Sequence, residues 1–316
     1  MRKTWKMRAV ALLLTAVCTV GASFAAYADD VPSGPASDME LIQRREQASG
    51  SQNEAGDAQT AAGSENHAGA AEGQQTTENQ ETGNNGQTAS ETQGTEQGDS
   101  QVPDGMVASG GRYIDPNAPM VALTFDDGPY APVGNRIMDC LAQYGGKATF
   151  FMVGARVGFY KTEVQRMVAE GHEVANHTMN HKYLQKLGAA QIQAQVNQGN
   201  DAIQAACGVR PTLLRLPGGN HNATVVANAG MPMIQWNVDT LDWKTRNADK
   251  TVAAVLNHVK DGDIILMHEL YGATGDAVAR IVPELHKRGF QMVTVSQMAA
   301  AKGRSLEAGK LYSSFH

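Results

Sequence analysis

The stretch VALTFDDGP, residues 121–129, indicates the fold of this 316-residue chain. Its first five residues are apolar or favour strands, and two carboxylates and a Gly-Pro pair follow directly. Such a run is typical of a buried strand, and the polar residues then stand where that strand ends. An Asp-Asp-Gly sequence is often no more than a surface turn. Its position directly after a buried strand favours a functional site instead.

Six more apolar runs follow, and longer amphipathic stretches separate them. The predicted strands are residues 121–125, 148–153, 172–175, 212–216, 233–238, 263–267 and 291–295. The predicted helices are residues 135–144, 162–170, 189–206, 249–259 and 276–288, where apolar residues recur at helical spacing. Alternating strands and helices predict a parallel sheet with helices outside it. Seven strands predict a distorted (β/α)7 barrel, an α/β fold smaller than the usual eightfold one.

Four further short motifs each lie at the end of a predicted strand or just beyond it. They are HTMNH (177–181), RLPGG (215–219), DTLDW (239–243) and LMH (266–268). In α/β barrels, the carboxyl ends of the strands carry the active site. The placement of the motifs therefore predicts one shared site, independently of the residue types within them.

The residue types suit a metal-dependent hydrolase. His177 and His181 are four residues apart, so one helical turn would project both imidazoles from the same face. With Asp127 they give two histidines and a carboxylate, a ligand set that leaves a position open for water. The neighbouring carboxylate of Asp126 is then free to accept a proton. Zn²⁺ is the default ion, and the same ligands accept Co²⁺, Ni²⁺ or Fe²⁺.

Together, the TFDDGP, HTMNH, VDTLDW and LMH stretches resemble the polysaccharide deacetylases, carbohydrate esterase family four. The resemblance covers residues 118–300. It implies a hydrolase with one divalent metal ion bound by Asp127, His177 and His181. It also implies that Asp126 is the general base for the water that the metal activates. His268 is then the general acid that protonates the leaving amine, a role that suits a histidine pKa near neutrality.

The same resemblance implies supporting roles for other motif residues. Arg215 orients the base, Asp242 pairs with the catalytic histidine, and Trp243 forms an aromatic wall of the sugar groove. Leu266 lines the pocket for the acetyl methyl group. The family's third motif often has a tyrosine where this chain has Gly218. The backbone N–H of Gly218 can still help to bind the oxyanion, but an aromatic groove contact is lost or comes from elsewhere.

The remaining histidines and the cysteines are assigned no chemistry. His172 is predicted to be structural because it lies on a predicted strand. His221, His258, His286 and His316 have no partner pattern and are expected to be solvated. Cys140 and Cys207 lie in predicted helices. A disulfide between them is possible in an exported protein, but free thiols are favoured because a large core needs no covalent bond.

The first third of the chain has a different composition. Residues 1–28 have a basic start, a 12-residue apolar run and Ala26-Tyr27-Ala28, as in a cleaved secretory signal peptide. An uncleaved membrane anchor is the alternative, since about 20 apolar residues span a bilayer. Residues 29–112 contain no Phe, Trp or Tyr, and 15 acidic and 2 basic residues give 29–110 a net charge of −13. This composition predicts a disordered linker that spans about 50 Å, either as a solubilising spacer or as a tether.

Residues 113–305 have the length of a single domain with its own core, and residues 306–316 are predicted to be a C-terminal tail. The chain from 111 onward has a net charge of only +3 and no stripe of Lys and Arg, so nucleic-acid binding is not expected. The expected partner is a cell-wall polysaccharide, with membrane contact only through an uncleaved anchor. The expected location is secreted or at the cell surface.

Three functions are compatible with these residues. The first is an N-deacetylase for N-acetylhexosamine units of a cell-wall polysaccharide, with peptidoglycan as the favoured target. The second keeps the site and changes the substrate, as in an O-acetyl esterase for xylan or a related glycan, or a chitooligosaccharide deacetylase. The third is a non-catalytic glycan-binding module, which would predict the loss of a ligand, the base or the acid. All of these residues are present.

Overall fold

A computed structural model describes residues 102–316 of the chain. The predicted signal peptide or anchor at 1–28 and the predicted linker up to residue 101 lie outside these residues.

Within the described part, the folded region begins earlier than predicted. A hairpin of β1 (Val107–Ser109) and β2 (Arg112–Ile114) forms before residue 113, because Gly110 and Gly111 both take positive φ angles in its turn and Ile114 is buried.

The central sheet is parallel, as the alternating pattern predicted. Its strands are β3 (Met120–Gly128), β4 (Thr149–Met152), β5 (Glu173–Asn176), β7 (Val238–Asp239), β8 (Asp263–His268) and β9 (Gln291–Met292). The order is β5-β4-β3-β8-β7, and β9 pairs with the start of β3. Strands β6 (Met233–Ile234) and β10 (Leu311–Tyr312) pair with each other. Leu214 forms one bridge to Asn176 at the end of β5 and another to Met233 in β6. A few residues after β6, strand β7 pairs with β8. These contacts connect β5 back to β8 and close the ring of strands.

The predicted distorted (β/α)7 barrel is thus confirmed, and the distortion has local causes. Residues 212–216 contribute only the bridge at Leu214. The predicted strand 233–238 divides into β6 and β7, which pair with different neighbours. The last predicted strand is short because the Thr294 side chain accepts a hydrogen bond from Gln297 N and begins a helix.

Nine α-helices surround the sheet in the described part of the chain. They are α1 (Ala131–Gln143), α2 (Gly154–Val157), α3 (Lys161–Ala169), α4 (Ala189–Cys207), α5 (Ala223–Asn228), α6 (Asp242–Thr245), α7 (Ala248–Leu256), α8 (Gly272–Lys287) and α9 (Val295–Ala301). Helix α8 buries Val278, Ile281, Val282 and Leu285, the stripe that its helical spacing predicted. None of the helices in residues 102–316 has both the length and the apolar character to cross a membrane.

Strand β3 shows how the fold directs polar groups into the barrel. Val121, Leu123 and Phe125 pack in the core between the sheet and the outer helices. Ala122 belongs to a separate core inside the barrel. Successive strand residues point to opposite faces, so Asp126 continues the inward row at the carboxyl end of β3.

The end of the chain, predicted as a C-terminal tail at 306–316, packs against the rest of the described domain. Strand β10 pairs in parallel with β6, and Phe315 is buried beside Gly262. His316 was expected to be solvated, but its Nε2 lies 2.7 Å from Asp263 Oδ1, with half of its side chain exposed. The apolar residues of this short segment cover the amino-terminal end of the barrel, where Asp263 begins β8.

His172 and the two cysteines have structural environments. His172 is buried, its Nδ1 accepts a hydrogen bond from Ala148 N at 3.1 Å, and its ring contacts Phe150 edge to face. Burial, followed by the charge of Lys147, lowers the pKa of His172 to about 4, so it is neutral. Cys140 and Cys207 are free thiols, half-buried in α1 and at the end of α4.

Candidate active site

Asp126 and Asp127 both point into the barrel mouth, although a regular strand would separate them. Asp127 has a left-handed φ of 69°, and the pairing of β3 with β4 shifts register between Asp126 and Gly128. This irregularity interrupts the alternation of side chains. Two consecutive carboxylates therefore reach one site, at the cost of a backbone conformation that L residues rarely adopt.

The HTMNH segment follows β5 as an irregular loop. The prediction that His177 and His181 share a helical turn is therefore wrong. Thr178 and His181 have positive φ angles of 69° and 53°, and these two residues reverse the chain so that both imidazoles meet. The ring centroids of the two histidines are 4.9 Å apart.

A buried amide network holds this loop. Asn176 accepts a hydrogen bond from Thr178 N at 2.7 Å and donates to Val196 O and Asn200 Oδ1 on α4. A Cβ at Gly199 would lie 2.5 Å from Asn176 Oδ1, so a side chain there would collide with the amide. The glycine in α4 thus permits the close approach that anchors the loop to the helix.

Asp127, His177 and His181 form a group suited to one metal ion, and their ligand atoms all lie within 4.8 Å of one another. Asp127 Oδ1 is 3.4 Å from His177 Nε2 and 3.1 Å from His181 Nε2. This carboxylate oxygen is buried and has no well-aligned hydrogen-bond donor in the described chain. An unsatisfied carboxylate oxygen and two imidazole nitrogens that converge on one point fit a divalent cation with mixed nitrogen and oxygen ligands.

Two further features suit His177 and Asp127 to metal binding, one a tautomer and the other a charge. His177 Nδ1 lies 2.8 Å from the carbonyl oxygen of Arg215, which selects the tautomer with its proton on Nδ1 and leaves Nε2 as an acceptor. Burial raises the pKa of Asp127, but the adjacent His177 and His181 outweigh it and hold this pKa well below its usual value. Asp127 is therefore ionised throughout the neutral range, as a metal-binding carboxylate must be.

Asp126 is held beside this group by a buried arginine. Arg215 Nη1 donates to Asp126 Oδ1 at 2.8 Å and to Thr124 Oγ1 at 2.7 Å. The other guanidinium nitrogens donate to the carbonyl oxygens of Ile234 and Gln235 at 3.1 and 3.0 Å. These contacts orient one carboxylate oxygen of Asp126 and leave Oδ2, which lies 3.7 Å from His177 Nε2, on the side of the metal ligands.

His268 is the register partner of Asp126 on the adjacent strand β8. Its Nδ1 lies 2.8 Å from Asp242 Oδ1, and its backbone N–H donates to Asp242 Oδ2 at 2.7 Å. Thr274 Oγ1 also donates to Asp242 Oδ2, at 2.7 Å. This pairing occupies Nδ1 of His268 and leaves Nε2 as the ring nitrogen that can exchange a proton with a substrate.

Asp242 controls the protonation of His268. Burial lowers the pKa of His268, but the hydrogen bond and charge of Asp242, with the charges of Asp127 and Asp126, raise it to about 9. A cation at Asp127 would oppose part of this increase. The histidine is thus kept protonated at neutral pH, as a general acid requires.

The variant Asp242→Asn is expected to move the alkaline limb of the pH–rate profile to lower pH by about 1–2 units, because the imidazolium loses its anionic partner. The same pKa shift predicts that the Asp242–His268 pair stabilises the fold fully below pH 6.5 and less as the pH rises through about 9. Measuring kcat/KM and the unfolding midpoint from pH 6 to 10 tests both expectations. An unchanged alkaline limb would contradict the role of Asp242.

The three predicted substrate residues lie around the same mouth. Leu266 is buried on β8, two residues before His268 and therefore on the same face of the strand. Trp243 is 45% exposed, and its backbone N–H donates to Asp242 Oδ1 at 2.8 Å. Gly218 has a φ of 66° in the turn Pro217–Gly219, which follows Arg215.

The motifs did not identify several residues that support the site. Thr124 anchors Arg215, Thr274 anchors Asp242, and the ring of Tyr271 lies 6.1 Å from that of His268. Thr124 stands within the TFDDGP stretch, which was the one available signal for it. Thr274 and Tyr271 lie beyond the motif and are brought to the site only by the course of the chain into α8.

Glu269 is a further residue that the motifs did not identify. It directly follows His268, is fully buried, and accepts a hydrogen bond from Tyr130 N at 3.0 Å. A Cβ at Gly128 or Gly134 would lie 1.9 or 2.1 Å from its carboxylate oxygens, so it fills the space beneath the DDGP turn. Burial raises the pKa of Glu269 to about 8, which favours the neutral acid at this position.

Comparisons with known proteins agree with this geometry. Residues 114–234 match the polysaccharide deacetylase family. The peptidoglycan-N-acetylmuramic acid deacetylase PdaC of Bacillus subtilis (strain 168) is 42% identical over 189 residues, which cover 60% of this chain and 40% of that protein. The chitooligosaccharide deacetylase of Sinorhizobium fredii (strain NBRC 101917 / NGR234) is 39% identical over 199 residues, which cover 57% of this chain and 92% of that protein.

A solved structure shares the fold and contains a metal. The family 4 acetyl xylan esterase of Clostridium thermocellum, determined in complex with a cobalt ion, matches with a TM-score of 0.59 and 33% identity. The match covers 62% of this chain and 98% of that one. The present chain spans about two fifths of the length of the Bacillus relative, so the similarity concerns only part of that protein.

Proposed function

This chain belongs to the polysaccharide deacetylase family, and from that membership we propose that it removes N-acetyl groups from N-acetylhexosamine units of peptidoglycan. The reaction is metal-dependent hydrolysis of the acetamide, which yields acetate and a free amine on the sugar. The observation that carries the proposal is the convergence of Asp127, His177 and His181 at one point, beside the buried carboxylate of Asp126, whose register partner on the next strand is His268.

The residues divide the chemistry of amide hydrolysis among them. When bound by Asp127, His177 and His181, a divalent cation supplies Lewis-acid activation of water and of the acetamide carbonyl, and Zn²⁺ is the proposed ion. Asp126 accepts the proton of the attacking water, and Arg215 keeps the carboxylate oriented for this.

The second half of the reaction needs an acid and a donor for the oxyanion. The backbone N–H of Gly218 is proposed to donate to the carbonyl oxygen as negative charge develops there. His268 Nε2 then gives its proton to the amide nitrogen as the carbon–nitrogen bond breaks. Asp242 stabilises the imidazolium until that transfer occurs.

Peptidoglycan is favoured as the substrate because of the relatives and the amino-terminal sequence. The Bacillus relative is named for N-acetylmuramic acid in peptidoglycan. The predicted export signal and the predicted acidic linker at 29–112 support the proposal of a secreted or surface-attached enzyme, with enough reach to enter the wall. An esterase that acts on acetylated xylan is the second candidate, favoured by the likeness to the Clostridium enzyme.

The test is acetate release from purified peptidoglycan, from N-acetylglucosamine oligomers and from acetylated xylan, each with added Zn²⁺ and after chelation. We expect metal-dependent release that is fastest from peptidoglycan, and recovery when metal is restored to the chelated protein. A strong preference for xylan would replace the proposed substrate with an O-acetylated glycan. Absence of release from every glycan would reject a deacetylase function.

A further inference from the structure

Gly218 has no room for a side chain, because another residue occupies the space. A Cβ at Gly218 would lie 2.6 Å from Cε1 and 3.4 Å from Cδ1 of Tyr183. Real Cβ atoms essentially never approach other atoms to 2.6 Å, and the φ of +66° would strain any L residue there. The ring of Tyr183 therefore lies where a side chain from position 218 would begin.

The chain around Tyr183 fixes the position of this ring. Tyr183 begins the turn Leu184–Lys186, and its carbonyl oxygen accepts a hydrogen bond from Lys186 N at 3.0 Å. Leu184 is fully buried and anchors the turn to the domain. Lys186 Nζ lies 5.3 Å from the centroid of the Tyr183 ring, a cation–π contact.

The ring also lies next to the metal-ligand group. Its centroid is 6.4 Å from that of His181, and 45% of Tyr183 is exposed. An exposed aromatic ring beside a reaction site suits contact with the apolar C–H face of a sugar ring. Trp243, which is equally exposed, adjoins Asp242 on the side of His268.

We propose that Tyr183 supplies the aromatic sugar contact that Gly218 cannot make, and that it packs against a pyranose ring of the substrate on the side of His181. This inference rests on the proposed function, because such packing requires a glycan substrate. Tyr183 and Trp243 then bound the groove from the metal side and from the acid side, and each contributes substrate affinity and no proton transfer.

The test separates substrate affinity from chemistry. For Tyr183→Ala, we expect the KM for a tetramer of N-acetylglucosamine to rise about tenfold, with kcat reduced less than about threefold. Binding of the deacetylated tetramer, measured by calorimetry, should weaken by a similar factor. Tyr183→Phe and Tyr183→Trp should restore the wild-type KM, because the ring and not the hydroxyl makes the contact.

Two controls keep the result interpretable. Tyr113→Ala removes a tyrosine that is 43% exposed on β2, near the start of β3 and away from the site, and should change neither KM nor kcat. Tyr183→Leu retains an apolar side chain of intermediate size without the ring. Its KM should rise as in Tyr183→Ala, which gives a second reading of the effect if Tyr183→Ala is less stable.

Several outcomes would overturn the inference. A KM that is unchanged in both Tyr183→Ala and Tyr183→Leu, in a protein that still releases acetate, removes Tyr183 from the groove and leaves the proposed function intact. Failure of Tyr183→Phe to restore KM, or a loss confined to kcat, excludes ring packing as its role. A wild-type protein that acts on no glycan overturns both proposals together.

Discussion

Replacing Asp126 with asparagine is expected to lower kcat by about 10³-fold while the protein still binds metal. The loss follows from removal of the proton acceptor, since general-base catalysis contributes about 10²–10⁴-fold. Asparagine has the same shape, and its Oδ1 can still accept the hydrogen bond that Arg215 Nη1 gives to Asp126 Oδ1. The ligand group of Asp127, His177 and His181 keeps all its members, so metal affinity should change by less than about tenfold.

The measurement combines steady-state acetate release with metal content after dialysis against Zn²⁺. Asp249→Asn is the matched control, because it makes the same chemical change on α7, where Asp249 is exposed and pairs with Arg280. The control should retain wild-type kcat. An Asp126→Asn protein with kcat within about tenfold of the wild type would remove Asp126 as the base. Loss of metal from this variant would instead make Asp126 a ligand.

The periodicity of the sequence predicted the parts of the fold that depend on burial. The α8 stripe of Val278, Ile281, Val282 and Leu285 packs as its spacing indicates, and the alternation along β3 directs Asp126 inward. These features could be predicted because burial of apolar side chains acts at every turn of a helix and at every second residue of a strand. The signal is therefore repeated many times within a short stretch.

The backbone geometry of the site could not be predicted in this way. Asp127, Thr178 and His181 each take a left-handed conformation that is uncommon for any residue other than glycine. Tertiary contacts hold the loop that contains two of them, such as the hydrogen bonds that Met179 N and Asn180 N donate to Gln195 O and Oε1. The four-residue spacing of His177 and His181 predicted a helical turn. The structure has an irregular loop there, and this loop also brings the two imidazoles together.

Long-range pairing was also invisible in the sequence. Strand β10 pairs with β6 across nearly eighty residues of chain, and the predicted strand 233–238 divides because its two halves have different partners. Tyr183 covers Gly218 from a separate loop. The family resemblance predicted an aromatic groove contact that Gly218 cannot supply, and only the fold shows that the ring of Tyr183 lies beside this position.

Removing one metal ligand is expected to have a larger effect than removing the base, and His181 offers the cleanest substitution. Its side chain is 23% exposed, whereas that of His177 is 2% exposed, so His181→Ala creates less of a buried cavity. A catalytic metal of this kind has three protein ligands. With one of them lost, we expect Zn²⁺ affinity to fall by roughly 10³-fold or more, and acetate release to fall with it.

Metal binding and stability provide two readouts of this variant that do not depend on turnover. Ligand that binds only the folded state stabilises it by about 2.7 kcal/mol at 100 times Kd, so Zn²⁺ should raise the unfolding midpoint of the wild type and leave that of His181→Ala unchanged. His258→Ala, an exposed histidine outside the ligand group, should respond to Zn²⁺ as the wild type does. Wild-type Zn²⁺ affinity in His181→Ala would show that the three side chains do not share one ion. The reaction proposed here requires that shared site, because Asp126 lies beside His177 and is the register partner of His268, and both would act on a substrate bound at that ion.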